Sequence, residues 1–497
     1  MRGNPGKSSL ERRLDFVIRW GLVLLVFLAP LPFGSVEVWA FSVLEISIAA
    51  VALLWLYRLF LFPSTPIAGS VLLLPACGFL ALMAFQLVPL PPGFLRAVSP
   101  GTATLYASAL PGYAAETRVI ALAEATLAGE PPPPDEEWRP ISQVPQATRT
   151  YLFKGVGFTL FFFLILNVFR EEGHVRRLLI VFAVTGTIQA FYGLTEYLSG
   201  HQHIFAYRKK YYTDAATGTF INRNHFALFL EMSLLVTLGL LFSRLRRRES
   251  GFTWRERLLS LNERGTSLNL TLALAVVLLS VALVLSYSRA GIIFGLSAAG
   301  LFCLVQVRRE WSARKLVIVA LLAVAVLAPA YGIGYWTLTG RYAILTEDVT
   351  VPGGRITVWE KTLDIFRDFP LLGTGIGTFQ HVFPRYRPAS VRAFYDYSHN
   401  DYLQVLSESG LAGGVLILWG LFLTVWLCLR RAAAGAPAGV LRAAAGFGLL
   451  AAGLHEMVDF GLQIPANFLA MTLLVGCLAL TAVPRAAGGE QAESAYV

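Results

Sequence analysis

Long apolar runs follow one another along almost the whole chain, and they restrict its fold more than any other feature. A run of about 18 or more apolar residues is long enough to cross a lipid bilayer as a helix. The sequence therefore predicts an all-α, polytopic integral membrane protein with about twelve transmembrane helices. The predicted spans are 16–33, 38–62, 70–90, 151–168, 178–198, 224–242, 268–287, 290–307, 316–338, 409–429, 440–460 and 462–483.

The composition excludes several other classes of protein. Only 14% of the 497 residues are charged, whereas a soluble domain carries roughly a quarter, so a cytosolic enzyme is excluded. The many aromatic residues exclude a disordered chain. All four cysteines lie inside apolar runs, which leaves no cysteine pair for a disulfide or a zinc site. The net charge of +10 reflects membrane topology and does not indicate a nucleic-acid partner.

Lysine and arginine residues set the predicted orientation, because short basic loops stay in the cytoplasm. The first run follows Arg12 and Arg13 but lacks a convincing cleavage site, so we expect an uncleaved helix. With the N-terminus in the cytoplasm, every short basic connection falls on that side, and so does the C-terminus. Three long loops, 91–150, 199–223 and 339–408, then lie on the outer side. The last loop is basic, either because long loops translocate regardless of charge or because it binds an anionic ligand.

Two arginines stand at the outer ends of predicted spans. Arg289 follows Ser288, and Arg223 stands between Asn222 and Asn224. An ionisable residue at such a position is costly and is therefore a functional candidate. Arg289 either anchors a helix end in the membrane interface or binds phosphate inside the bundle. Arg223 belongs either to an ordinary helix cap or to an anion site at a helix N-terminus.

Three polar residues also interrupt the predicted span 440–460. His455, Glu456 and Asp459 lie near its outer end, and the four-residue spacing places His455 and Asp459 on one helix face. They form either a satisfied polar pair that holds helices together or part of a site.

Two motifs resemble ligand sites but carry little weight. His201 and His203 form a His-x-His pair in an outer loop, and two histidines alone are weak support for a metal site, so we interpret this segment as a solvated loop. The glycine run 373–377 resembles a nucleotide-binding loop. Because no βαβ unit accompanies it, we interpret it as a flexible turn.

The last outer loop contains a predicted helix that begins near Arg355 and ends before Pro370. Its apolar and charged residues separate onto opposite faces, which is typical of an amphipathic helix lying along the membrane surface. The apolar face comprises Ile356, Trp359, Leu363 and Phe366, and the charged face comprises Glu360, Lys361, Asp364 and Arg367.

A histidine stands where this loop meets the tenth predicted span. Ser398 is predicted to cap that helix, with Asp401 three residues later, so that His399 would lie in the first turn. The helix dipole and burial both disfavour an imidazolium there. A neutral imidazole is the form that a general base needs, although a structural histidine bonded to the loop would fit the same pattern.

These motifs together resemble the bacterial O-antigen ligase and polymerase family of polysaccharide-assembly proteins. The resemblance covers most of residues 150–480, and its most specific part is the His-Asn-Asp-Tyr stretch. The residues that carry it are Gly354-Arg355 with Trp359 downstream, the glycine run, Ser398-His399-Asn400-Asp401-Tyr402 followed by Glu408-x-Gly410, Ser288-Arg289-Ala290-Gly291 and the segment Asn222–Asn224.

The resemblance implies transfer of a glycan from undecaprenyl diphosphate to an acceptor hydroxyl, on the periplasmic side of the bacterial inner membrane. Arg289 and Arg355 match family arginines that would hold the diphosphate, and Arg223 fits that role less well, because the family often has another residue between the two asparagines. His399 matches the family histidine proposed as general base. The supporting candidates are Asn400, Asp401, Tyr402, His455 and Asp459.

The expected chemistry requires no cofactor and no metal. Two or three arginines can stabilise a departing diphosphate, and the chain has no Asp-x-Asp motif of the kind that holds a metal in many membrane glycosyltransferases. Attack by one hydroxyl with one base predicts inversion at the anomeric carbon. The expected partners are the lipid-linked donor, an acceptor such as a glycan or the lipid A core of lipopolysaccharide, the bilayer and other polysaccharide-assembly proteins.

The chain divides into five predicted segments. They are 1–150 with the first three transmembrane helices and a first periplasmic loop, 151–338 with helices four to nine, 339–408 as a catalytic periplasmic loop with short amphipathic helices, 409–483 with the last three helices, and 484–497 as a cytoplasmic tail.

Two other functions fit a chain of this kind. A transporter or flippase of lipid-linked oligosaccharides would use as many spans, but it should show inverted repeats and broken helices near the midplane. The polar residues instead cluster at one face. A structural protein of the envelope would not need Arg289, Arg355 and His399 together. Within the enzyme hypothesis, ligase and polymerase differ only in the acceptor, which the sequence does not identify.

Overall fold

The structure, a computed structural model, describes residues 8–110, 115–129, 138–245, 264–309, 319–320, 323–324, 354–432 and 437–480. Among these residues, the regular secondary structure is helical apart from one two-stranded hairpin. The helices are α1 (Ser9–Leu28), α2 (Val38–Leu61), α3 (Leu73–Gln86), α4 (Pro92–Val98), α5 (Pro100–Ala109), α6 (Ala115–Ala128), α7 (Pro145–Val168), α8 (Glu172–Ser199), α9 (Arg223–Leu245), α10 (Arg264–Leu285), α11 (Leu296–Arg309), α12 (Arg355–Asp368), α13 (Phe379–Tyr386), α14 (Asp401–Ala432), α15 (Pro437–His455) and α16 (Pro465–Ala479). The strands β1 (His203–Ile204) and β2 (Tyr207–Arg208) pair antiparallel.

Seven of the described helices are long and apolar enough to cross a membrane. They are α2, α7, α8, α9, most of α10, the helix Gly291–Arg308 that contains α11, and α14 up to Arg430. Three shorter apolar helices, α3, most of α15 and α16, coincide with other predicted spans. The ninth predicted span, 316–338, lies almost entirely outside the described residues. A multi-pass α-helical membrane protein follows, and the count of twelve stays a prediction.

Helix α9 forms the centre of the bundle. Its candidate membrane span is entirely buried inside the protein, and it packs against α8, α10, α15 and α16. Close approach to α15 depends on Gly239, because a Cβ atom at that position would lie 2.4 Å from the Cβ of Ala444. A helix that is apolar on all sides is typical of such a central position.

The loops at one end of this bundle are joined by hydrogen bonds between distant segments. The Thr219 hydroxyl donates to the Pro30 carbonyl at 2.6 Å, and the Ala216 amide donates to the Leu285 carbonyl at 2.9 Å. These bonds hold the segment that precedes α9 against the ends of α1 and α10. The first turn of α9 is therefore fixed in place at this end.

Helices α12 and α13 form a small core of their own beside that end. The predicted helix in the last loop is present as α12, but its buried face differs from the predicted one. Val358, Thr362 and Ile365 are buried, whereas the predicted apolar face is only partly buried and Ile356 is exposed. The reason is tertiary packing, because the buried face meets α13 and the loop after it through Phe369, Phe379, Val382, Phe383 and Val391.

The glycine run between α12 and α13 is a buried, hydrogen-bonded loop and not the flexible turn that we expected. The Glu408 carboxylate accepts the Gly377 amide at 2.9 Å and the Phe379 amide at 2.8 Å. The Gln86 side chain bonds the Ile376 amide at 3.1 Å and the Glu408 carbonyl at 2.9 Å. Gly375 has a φ of +106°, a conformation that L-residues with a side chain rarely adopt.

The ends of two helices differ from the bounds of the predicted spans. Helix α14 begins at Asp401 and not near residue 409, and Gly410 interrupts it with a φ of +62° and a ψ of −162°. Around this break the Leu411 amide bonds the Pro370 carbonyl. Helix α15 ends at His455, so Glu456 and Asp459 lie beyond it. At the break in α14 and just beyond the end of α15, the backbone is hydrogen-bonded to the last outer loop, through Leu411 and Val458 respectively.

We expect Glu408→Ala to destabilise the protein, because two buried amides would lose their hydrogen-bond acceptor. The expected loss is about 2 kcal/mol. The measurement is thermal unfolding in detergent, followed with a thiol-reactive dye that reports exposure of the buried Cys303 and Cys477. Glu360→Ala, at an exposed position of α12, is the control and should leave the midpoint unchanged. Equal midpoints for the two variants would contradict this role of Glu408.

Candidate active site

Asp459 is the centre of a polar cluster at the end of the bundle described above. Its side chain is only 2% exposed, and a buried carboxylate is costly unless it is paired. Atom Oδ1 accepts the Phe460 amide at 2.9 Å, and Oδ2 accepts a hydrogen bond from the Asn224 side chain. Burial alone would raise the pKa of Asp459, but the neighbouring His399, Arg355 and His225 lower it below the ordinary value. Asp459 is therefore an anion in the folded protein.

His399 lies beside this carboxylate. Its Nδ1 atom is 3.6 Å from Asp459 Oδ1, and its side chain is 23% exposed. The ring is thus buried on the side of Asp459 and open on another. Such a histidine has one nitrogen directed at an anion and the other available to a ligand.

The backbone at His399 differs from the predicted one. The helix begins at Asp401, and the Asn400 side chain caps it by accepting the Leu403 amide at 3.0 Å. The Ser398 hydroxyl instead closes a turn around His399, donating to the Asn400 carbonyl at 2.7 Å. His399 therefore precedes the helix, with a φ of +55°. Asn400 and not Ser398 is the cap because it directly precedes the first residue of the helix, which places its side chain beside the third amide.

Phe460 determines how the His399 ring is oriented. The His399 ring meets Phe460 edge to face at 4.6 Å, and the His225 ring does the same at 4.7 Å. Tyr397 stacks on Phe460 at 4.6 Å with an interplanar angle of 18°. These contacts restrict rotation of the imidazole, so its position relative to Asp459 does not depend on the ion pair alone.

Arg355 approaches the same cluster from α12. Its Nη1 atom donates to the Val458 carbonyl at 2.6 Å, next to Asp459 in the chain. One turn later in α12, Trp359 donates its indole N–H to the Ser398 carbonyl at 3.0 Å. Helix α12 is therefore bonded to the residue before His399 and to the residue before Asp459. The guanidinium of Arg355 lies close to the buried Asp459 carboxylate.

The two other predicted arginines lie at the same end of the bundle. Arg223 is the first residue of α9, and its guanidinium lies 5.3 Å from the centre of the Tyr212 ring. The adjacent Asn224 contacts Asp459, and the Asn222 side chain accepts the Asn224 amide at 2.8 Å, which is the capping alternative. Arg289 stands two residues before Gly291, which packs closely against Ala227 in the first turn of α9.

The supporting residues that follow His399 have separate partners. The Asp401 carboxylate accepts from the Gln463 side chain at 2.8 Å, and its amide donates to the Glu456 carbonyl at 3.0 Å. Tyr402 donates its hydroxyl to the Gly453 carbonyl at 2.8 Å. Burial, together with the Asp401 carboxylate, raises the pKa of Glu456 well above its ordinary value. Glu456 is therefore protonated where Asp459 is ionised.

His455 does not pair with Asp459, which is a correction to one of the sequence interpretations. Because α15 ends at His455, the four-residue spacing does not place the two residues on one helix face. The His455 Nδ1 atom instead contacts the Glu231 carboxylate in the middle of α9, and both side chains are fully buried. This pair joins α9 to α15, whereas the structural alternative had paired His455 with Asp459.

Sequence reasoning missed several residues of the cluster. His225, Phe460 and the Val458 carbonyl were not singled out, and Glu231 was not noticed although it is a charged residue in an apolar run. A charged residue inside an apolar run is a sequence signal that could have identified Glu231. The roles of Phe460 and Val458 had no sequence signal, because an aromatic ring and a backbone carbonyl become specific only through their neighbours.

Residues 274–418 match a family model described as O-antigen ligase. No curated protein matches the chain. The matched segment includes Arg289, Arg355, His399 and the three residues that follow it, whereas Arg223 and Asp459 lie outside it. This match confirms the resemblance to that family and supports a membrane protein that transfers glycans.

Asp459→Asn should destabilise the protein, whereas Glu456→Gln should leave its stability unchanged. Asparagine presents an amide to the Asn224 amide and loses the anion beside His399, so the free energy of unfolding should fall by about 2 kcal/mol. Glutamine retains the hydrogen-bonding pattern of a protonated Glu456, so this variant should unfold like the wild type. Thermal unfolding in detergent at neutral pH compares the two, and equal destabilisation would show that the assigned protonation states are wrong.

Proposed function

We propose that the protein is an inverting membrane glycosyltransferase, which transfers a glycan from undecaprenyl diphosphate to an acceptor hydroxyl at the periplasmic membrane face. The observation that carries the proposal is His399, partly exposed beside the buried Asp459 anion, with Arg355 attached to the same turn. The family match over residues 274–418 supports it. A base next to a fixed cation is the arrangement that this reaction needs.

The proposed proton acceptor is His399. Its Nδ1 atom faces Asp459, so an Nδ1–H tautomer would leave the Nε2 lone pair free for the acceptor hydroxyl. As the hydroxyl oxygen forms its bond to the anomeric carbon, its proton passes to Nε2. The Asp459 carboxylate then stabilises the imidazolium that results. Asp459 therefore acts through His399 as a positioning residue.

The proposed leaving-group site uses arginine. As the bond from the anomeric carbon to the diphosphate oxygen breaks, negative charge develops on the lipid diphosphate. Arg355 commits one N–H to the Val458 carbonyl, and a guanidinium has five donors, so others remain for phosphate oxygens. Arg223 and Arg289, at the same end of the bundle, would complete this site. We propose that the reaction is independent of a metal, in keeping with the absence of an Asp-x-Asp motif from the sequence.

The remaining candidates would hold these groups in place. Asn400 caps the helix that follows His399, and Asp401 and Tyr402 attach that helix to the segment 453–463. We propose that this end faces the periplasm, that both termini are cytoplasmic and that the membrane is the bacterial inner membrane. The acceptor is either the lipid A core, for a ligase, or a growing glycan, for a polymerase.

His399→Ala should reduce glycan transfer by about 100-fold or more, since general base catalysis typically contributes this much. The assay uses proteoliposomes with undecaprenyl-diphosphate oligosaccharide, and products are separated on a gel. His381→Ala is the matched control, because His381 is an exposed histidine of the nearby α13. That variant should retain the wild-type rate.

The same assay distinguishes the other functions. Product from donor alone indicates a polymerase, whereas product only with added lipid A core indicates a ligase. Donor that appears on the opposite leaflet without any transfer would establish a transporter and overturn the proposal. Wild-type transfer by the His399→Ala protein would also overturn it.

Arg355→Lys should lower the transfer rate by about 100-fold while the protein still folds, because lysine keeps the charge but loses the planar fork that binds two phosphate oxygens. Arg367→Lys, at an exposed position of the same helix, is the control. An Arg355→Lys enzyme with a normal rate would show that charge alone is sufficient at this position.

A further inference from the structure

A cluster of two histidines and one glutamate lies on the hairpin after α8, outside the proposed active site. Glu196 stands in the last turn of α8, and Gly200 ends that helix with a φ of +71°. This left-handed residue turns the chain back, so that His201 and His203 lie over Glu196. We interpreted His201 and His203 as part of a solvated loop and did not include Glu196. Glu196 reaches the two histidines only because the chain reverses at Gly200.

The three side chains are held close together. Glu196 Oε2 lies 2.9 Å from His201 Nδ1 and accepts the His203 backbone amide at 2.8 Å. The two imidazole rings stack with their centroids 3.9 Å apart. Each residue offers one ligand atom, and these three atoms lie within 4.8 Å of one another. Ligand atoms on one tetrahedral ion, at bond lengths near 2.0 Å, are separated by about 3.3 Å. Small rotations of the three side chains would therefore bring their ligand atoms to the spacing that one ion requires.

The hydrogen bonds of His203 leave a nitrogen free for a metal ion. Its Nδ1 atom lies 2.6 Å from the His201 carbonyl oxygen. A carbonyl oxygen only accepts, so Nδ1 carries the hydrogen and Nε2 has the lone pair. A histidine whose Nδ1–H is bonded to a backbone carbonyl is the usual form of an imidazole that ligates through Nε2. The His201 side chain is 59% exposed, and its Nδ1 atom already lies beside the Glu196 carboxylate.

We propose that Glu196, His201 and His203 bind a divalent transition-metal ion, with zinc as the best match to two imidazoles and one carboxylate. Three protein ligands leave a further coordination position for water. Calcium and magnesium prefer oxygen ligands and should not compete. The ion joins the C-terminal end of α8 to the hairpin.

This position gives the ion a structural role. After the hairpin, the buried Lys209 donates to the Ala215 carbonyl at 3.0 Å and lies 3.2 Å from the Thr217 hydroxyl. The chain then continues to Arg223 at the start of α9. The ion would therefore brace the segment that leads to the active-site end, while the proposed transfer chemistry does not involve it.

The test measures bound zinc in full-length protein that carries no polyhistidine tag, after incubation with zinc and desalting. Wild type should retain about one zinc ion per chain, and zinc should raise its thermal midpoint. His203→Ala and Glu196→Gln should each lose most of the bound zinc, whereas the control His381→Ala should retain it. Excess calcium should not displace zinc. Cobalt in place of zinc should give the visible absorption bands of a low-symmetry site in wild type only.

Two results would overturn the proposal. The first is a wild-type protein that retains no zinc. The second is zinc content that is the same in wild type, His203→Ala and Glu196→Gln, which would place the ion elsewhere. The hairpin variants should also keep His399-dependent transfer at low temperature, so loss of zinc binding is distinguishable from failure of the proposed enzyme function.

Discussion

The buried carboxylate of Asp459 is the constraint on which the proposed active-site end depends. A charge at a side chain only 2% exposed is tolerated when several partners share the cost of removing it from water. These partners come from different parts of the chain, namely Asn224 at the start of α9, Arg355 on α12 and His399 before α14. The interactions of this one anion therefore bring together three segments that are far apart in sequence, and they place His399 and Arg355 beside the same carboxylate.

The loop that carries Arg355 and His399 is rigid because its backbone is satisfied by buried side chains. Glu408 and Gln86 accept hydrogen bonds from amides of the glycine run, and Trp359 donates to the Ser398 carbonyl. An apolar environment offers no water to unpaired amides. Leaving any of these amides without an acceptor would therefore cost more free energy than the hydrogen bond itself contributes. The proposed chemistry requires such rigidity, since a misplaced base or arginine would lose most of its effect.

Much of the fold was predictable because it follows from hydropathy. A run of apolar residues forms a membrane helix almost regardless of its neighbours, and seven long helices of this kind are present. Boundaries were less predictable, as Gly410 and the end of α15 at His455 demonstrate. At both places the backbone is hydrogen-bonded to a segment that is distant in sequence. The buried face of α12 was also missed, because a partly polar helix in contact with protein can bury either side.

The sequence by itself determined the membrane class and singled out Arg355 and His399 as candidate site residues, because residue type and motif spacing are local properties. Only the tertiary structure decided which partners those side chains have. It paired His399 with Asp459, assigned His455 to Glu231 and brought Glu196 to two histidines. A buried polar group must find a partner wherever the packed helices bring one within reach, and that partner depends on contacts between segments that no local pattern encodes.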